Sequence, residues 1–145
     1  MVREGQSMEQ STELNELYLR ICEALSSADY SFFERYFSQK DGVLAIGTDP
    51  MEWWAGYATI TRVFKAQLKE TGKFQVLADK PQAYRDGSIG WVAGRATLKL
   101  SDGMEMPVRL TVVFQKEHND WKIVQWHFST GISNEDLIGE TLTTQ

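Results

Sequence analysis

The chain has 145 residues, 42% of them apolar and 24% charged, with a formal net charge of −5. That much apolar material suffices for one ordinary domain with its own core. The acidic balance gives no electrostatic footprint for nucleic acid and makes an anionic membrane surface unattractive, so neither is expected as a partner.

Residues Met1 to Gln10 contain no apolar segment of the secretory type, and no later apolar run is long enough to span a bilayer; a cytoplasmic setting is expected. Leu14, Leu17, Tyr18, Ile21 and Leu25 then follow the spacing of one buried helical stripe, with Glu13, Glu16, Arg20 and Glu23 mostly off it. Cys22, the sole cysteine, lies beside that stripe, so there is no disulfide framework and no Cys/His spacing for a metal, and no cofactor is expected. Ser27-Ala28-Asp29 breaks the pattern, and Phe32, Phe33, Tyr36 and Phe37 predict a short aromatic second helix closed by Asp41-Gly42. Val43 to Ile46 reads as a brief strand.

Asp49-Pro50-Met51-Glu52 predicts a helix start, with Asp49 as N-cap, Pro50 at the first helical position and Glu52 as capping-box partner, interrupted at Gly56. A third helix follows, with Ile60, Val63, Phe64 and Leu68 inward and Gly72 as its stop.

The remainder predicts four strands. With three-residue turns at Arg85-Asp86-Gly87, Ser101-Asp102-Gly103 and Glu117-His118-Asn119, one face is apolar throughout: Phe74, Val76, Ala78; Val92, Gly94, Ala96, Leu98; Leu110, Val112, Phe114; Val124, Trp126, Phe128. In the middle hairpin that loop length pairs Leu98 with Met106. Pro81 predicts a bulge or an edge position. The other face mixes Arg95, Arg109, Thr111, Gln125, His127 and Ser129 with Val113, Trp121 and Ile123. It is too apolar for a freely solvated surface and too polar for a core, which points to a homodimer pairing sheet to sheet through Arg95, Arg109, Ile123, Gln125 and His127. On this reading Ile123→Lys breaks the dimer before it unfolds the domain.

Ile46-Gly47-Thr48-Asp49-Pro50, Glu52-Trp53-Trp54-Ala55-Gly56 and the last strand, Trp121-Lys122-Ile123-Val124 through His127-Phe128-Ser129, resemble the SnoaL-like domains of the nuclear transport factor 2-like superfamily. The resemblance covers roughly residues 10 to 135. It implies an α+β fold, a cone-shaped curved antiparallel sheet wrapped around three N-terminal helices, as a single domain over residues 8–132 with polar tails at 1–7 and 133–145. It implies dimerisation through the outer sheet face as well. It does not choose a reaction, because the superfamily hosts isomerases, cyclases, dehydratases, transport factors and assembly modules. The places where ketosteroid isomerase-like members hold an oxyanion correspond to Ile21 and Val112, which donate no hydrogen bond. The arginine places of kinase association domains fall at or near Ala96, Val112 and Phe128.

Three functions are therefore expected in competition. The first is a dimeric domain whose apolar conical pocket binds a small, neutral, hydrophobic molecule through Tyr18, Tyr36, Trp53, Trp54, Tyr57, Ala96, Leu98, Val112, Trp126 and Phe128. The second is a cofactor-free proton-transfer enzyme (isomerase, cyclase or dehydratase) with Asp49 as base and Tyr18, Tyr36 or Trp54 as hydrogen-bond donors. The third is a non-catalytic assembly or regulatory module. Against catalysis at Asp49 stands its use as a cap. His127, on the mixed face, reads as an interface histidine, and His118 as a solvated turn residue.

Overall fold

The computed structural model describes residues 7–71 and 74–145. Helix α1 (Thr12–Ser26) starts where Ser11 Oγ accepts from the backbone N–H of Leu14 at 3.1 Å. It buries the predicted stripe, Leu14, Leu17, Tyr18, Ile21 and Leu25, together with Cys22 beside it. Helix α2 (Tyr30–Tyr36) is capped by Asp29, which accepts from Phe32 N–H. It stops at Tyr36, several residues before Asp41-Gly42. Helix α3 (Tyr57–Glu70) buries Ile60, Phe64 and Leu68, with the expected Val63 only half-buried; the expected Gly72 stop lies outside the described residues.

The strands are β1 (Glu9–Gln10), β2 (Leu44–Ile46), β3 (Trp53–Ala55), β4 (Phe74–Ala78), β5 (Gln82–Asp86), β6 (Ile89–Leu100), β7 (Glu105–Glu117) and β8 (Asp120–Thr130). They form one sheet in the order β1-β5-β6-β7-β8-β2-β3, with β4 also on β6. All pairings are antiparallel except β2 with β8, so one parallel pair enters the expected antiparallel sheet. The helices pack on its inner face, α1 against β4, β5 and β6, and α2 against β8. This is the α+β cone expected from the sequence. Pro81 acts as predicted: residues 79–81 separate β4 from β5, and the register against β6 steps by one residue between Ala78↔Ala96 and Gln82↔Ala93. Most of the expected apolar row is buried or half-buried, although Ala78 at the end of β4 is exposed.

The turns are where sequence and structure part. Leu98 pairs with Met106, so the Ser101-Asp102-Gly103 loop has the expected length. The other two are two-residue turns: Asp86 pairs with Ile89, and Glu117 pairs with Asp120 around His118 and Asn119, both at positive φ (52° and 72°). A two-residue turn at His118-Asn119 would by itself put Trp126 and Phe128 outside. A bulge at Val113/Phe114 corrects the phase: Phe114 pairs with Ile123, and Val113 pairs with Gln125. Consequently Trp121 and Ile123 point inward as well as Trp126. Ile123 is fully buried and Trp121 nearly so, its indole N–H donating to Glu13. Both are removed from the mixed outer face. The expectation that Ile123 belongs to a dimer surface is thereby corrected. Its backbone oxygen accepts from Ser38 N–H at 2.9 Å, next to a parallel bridge between Phe37 and Ile123.

A second difference concerns Asp49-Pro50. These residues form the loop of the β2–β3 hairpin and no helix, and Gly56 (φ 91°) begins α3 instead. At the C-terminus, residues 134–138 form a short exposed helix, α4 (Asn134–Ile138), capped by Ser133 within the expected tail. The tail expected at 1–7 lies, apart from Ser7, outside the described residues.

Tyr18 tests the core. Its ring is fully buried and its hydroxyl occupies the space a side chain at Gly94 would fill, so that Gly94 is required there. The hydroxyl meets no partner of good hydrogen-bond geometry; its polar neighbour is the Cys22 thiol. Burial, then Cys22, raise the Tyr18 pKa above its ordinary value, and burial pushes Cys22 up to about 11, the Tyr18 hydroxyl opposing. Both acids are neutral when protonated and both have raised folded pKa values. Their contribution to stability is complete below the ordinary thiol pKa of 9.0 and lost as pH rises towards the folded values. Urea unfolding is expected to show a midpoint that falls above that pH in the parent chain. Tyr18→Phe, which removes a buried unmatched hydroxyl, is expected to be neutral or stabilising by up to about 1 kcal/mol and to lessen that alkaline fall. A loss greater than that would show that the hydroxyl has a partner.

Candidate functional site

The site builds on the β2–β3 hairpin. Gly47 N–H donates to the Glu52 carbonyl at 2.9 Å, and Thr48-Asp49-Pro50-Met51 closes the loop. Asp49 Oδ1 accepts from Met51 N–H at 2.8 Å, a local turn bond that Asp-Pro favours. Asp49 is exposed, and its side chain is spent on that turn. Glu52 is the residue the hairpin aims inward. Its Oε1 accepts from Asp49 N–H at 2.9 Å and from the Thr48 hydroxyl at 3.4 Å, and its Oε2 from Gln67 Nε2 at 2.6 Å. Gly47 makes this possible: a Cβ there would stand 2.5 Å from Glu52 Oε1 and 2.9 Å from its Cβ.

Beside this carboxylate opens a cavity of about 360 Å³ between α1, α3, β4 and β8. Its apolar wall is Leu25, Trp54, Phe64, Leu68, Phe74, Trp126 and Phe128; its polar lining includes Glu52, Gln67 and Glu70. Three of its rings, Trp54, Phe64 and Trp126, belong to one aromatic cluster that continues into the core. Phe64 lies 5.3 Å from Trp126, 5.1 Å from Phe33 and 5.2 Å from Phe37, centroid to centroid, and 6.2 Å from Trp54.

Of the expected ligand-binding residues, the structure brings Trp54, Trp126 and Phe128 to this cavity. Tyr18, Ala96 and Val112 are buried in the core, and half-buried Leu98 packs against it. Trp53, on the opposite strand face from Trp54, is 64% exposed. Tyr36 stacks on Phe32 at 4.4 Å beneath the guanidinium of Arg20. The Tyr57 hydroxyl donates to the Glu34 carbonyl at 2.6 Å and ties α3 to α2; burial, then Glu34, raise its pKa. Asp49 does not line the cavity, so of the two hairpin carboxylates the one placed to act there is Glu52. Sequence reading took Glu52 as a cap partner and missed Gln67, Phe64 and Gly47. The available signal was Trp53-Trp54, two strand-favouring residues that follow a turn-forming Asp-Pro after two intervening residues.

His127 is exposed on the outer face, away from the cavity. Ile21 and Val112, at the resemblance's oxyanion positions, are fully buried and apolar. Among the described residues no cluster of three His, Cys, Asp or Glu side chains could hold a metal, and no helix is long and apolar enough to cross a membrane.

Comparison with known proteins agrees with this architecture. An NTF2-like superfamily protein from Salmonella enterica is 20% identical, with a TM-score of 0.72 over 90% of this chain and 95% of that one. A presumed dehydratase of the NTF2-like family from Streptomyces avermitilis gives 15% identity and a TM-score of 0.74 over 83% and 95%. A presumed ketosteroid isomerase from Parabacteroides distasonis gives 22% and 0.66 over 86% and 95%. At these identities the likeness is one of fold. No curated protein matches the chain. A family of SnoaL-like domains matches residues 14–133, from within α1 to just past β8, and the chain belongs to that family.

Proposed function

We propose that the chain is a binding domain for a compact, largely apolar small molecule held in the cavity between α3 and β8. The observation that carries this reading is the aromatic wall of Trp54, Phe64, Phe74, Trp126 and Phe128 around about 360 Å³, at the lower end of the size range of ligand sites. Titration with the neutral apolar dye Nile red is expected to give saturable, blue-shifted emission. Thr48→Trp, at the exposed polar edge of the cavity, is expected to abolish the saturable phase while leaving the melting temperature in place. A parent chain that takes up no dye, or a variant that binds it unchanged, would defeat the reading.

Glu52 favours a second reading, a cofactor-free proton-transfer enzyme, with this residue replacing Asp49 as base. Folds similar to those of a presumed isomerase and a presumed dehydratase support it at the level of architecture. Exchange of a bound ketone's α-protons with deuterated water, lost in Glu52→Gln, is the result this reading requires. A bound ketone that does not exchange removes it.

The binding domain is further proposed to act as a homodimer through the outer sheet face. Arg95 and Arg109 are exposed and stand directly opposite one another on β6 and β7. Half-buried Val113 and Gln125 with exposed His127 complete the face. Sedimentation is expected to show a dimer, and a monomer at micromolar concentration would refute it.

A further inference from the structure

The cavity differs from the neutral chamber expected from the sequence, because the β2–β3 hairpin inserts a held carboxylate into an aromatic enclosure. Three donors fix Glu52: Asp49 N–H and the Thr48 hydroxyl on Oε1, and Gln67 on Oε2. A carboxylate oxygen accepts about two hydrogen bonds. Oε2 therefore keeps one acceptor position. Glu70, from the last turn of α3, adds a second negative charge to the lining, and no described lining residue carries a positive one. Trp54, Phe64, Phe74, Trp126 and Phe128 supply the π faces.

We infer that the natural ligand of this cavity is an aromatic or alicyclic amine bound as its ammonium ion, with the charged nitrogen at Glu52 and the ring among the aromatic side chains. The inference rests on the cavity being a binding site and adds the chemistry of what it takes. A neutral apolar ligand would strip water from Glu52 without offering it a counter-charge, which is unfavourable. A carboxylate ligand would add repulsion. A primary ammonium supplies both a donor for the vacant Oε2 position and a charge, and it gains from neighbouring indole and phenyl faces. The small residue at 47 reinforces this assignment: the hairpin gives up a side chain there so that Glu52 can lie flat against it.

The test is calorimetric titration of the full chain, near neutral pH, with three probes of one shape: 1-naphthylmethylammonium, 1-naphthylmethanol and 1-naphthoate. The ammonium is expected to bind about tenfold or more tighter than the alcohol, with the naphthoate weakest. Glu52→Gln is expected to bring the ammonium down to the affinity of the alcohol while leaving the alcohol no weaker. Equal affinities for ammonium and alcohol, or a preference for the alcohol or the naphthoate, overturn the amine assignment and leave the cavity reading standing. Failure of all three probes to bind, together with failure of Nile red, removes the cavity reading and this inference with it. If Glu52→Gln does not fold, the ranking of the probes on the unaltered chain decides alone.

Discussion

Ile123→Lys is expected to unfold the domain and not merely to separate its copies. Ile123 is fully buried, paired with Phe114 below the bulge, beside the Phe37–Ser38 segment that its backbone oxygen anchors. Among the described residues no carboxylate is buried to meet a lysine there, and its stem cannot reach solvent without displacing that packing. An uncompensated buried charge costs about 4 kcal/mol or more, a large part of the roughly 5–15 kcal/mol by which a domain is stable. Far-UV circular dichroism and urea unfolding should show little or no cooperative transition at room temperature. A variant that folds normally and sediments as a monomer would restore Ile123 to the outer face and refute the register described for β8.

Phe64→Ala is expected to have the next largest effect, and it acts on fold and site together. The Phe64 ring touches Phe33, Phe37, Trp54 and Trp126, so it joins α2, α3, β3 and β8. Its removal costs about 3–5 kcal/mol through lost burial and the void left behind. In a chain of this length the melting temperature should fall on the order of 10 °C or more. The void would merge with the existing cavity, so Nile red should still bind, with altered emission. A melting temperature within experimental error of the parent would mean that the aromatic cluster relaxes freely and does not set the cavity's wall.

The helical layer was legible because its periodicity is unambiguous: the α1 stripe and the inner residues of α3 are buried as their spacing requires. The apolar rows of β6 and β7 were legible for the same reason. What failed were local choices with two physically similar outcomes. Asp-Pro opens helices and tight turns alike, because both use a side-chain acceptor followed by a fixed φ. Only pairing between β2 and β3, a tertiary fact, selects the hairpin, and with it Glu52 over Asp49. On β8 the alternation of Trp126, His127 and Phe128 was read correctly, and His127 does lie outside. The phase change that aligns them was assigned to the turn at Glu117-His118-Asn119, whereas the chain makes it within the strand. That is why Trp121 and Ile123 were placed on the wrong side. A bulge leaves no composition signal here, since its extra residue, Val124 on β8, is not a glycine.

The interruption at Val113/Phe114 divides the β7–β8 ribbon into two lengths that keep separate time. Below it, the side on which Trp121 and Ile123 lie is dictated by the tip at His118-Asn119; above it, Trp126 and Phe128 take their aim from Val112 and Leu110. The distal tip can thus drift in sequence, or even in shape, without rotating the rings that wall the chamber. The ribbon's foundation and its working end are free to change independently.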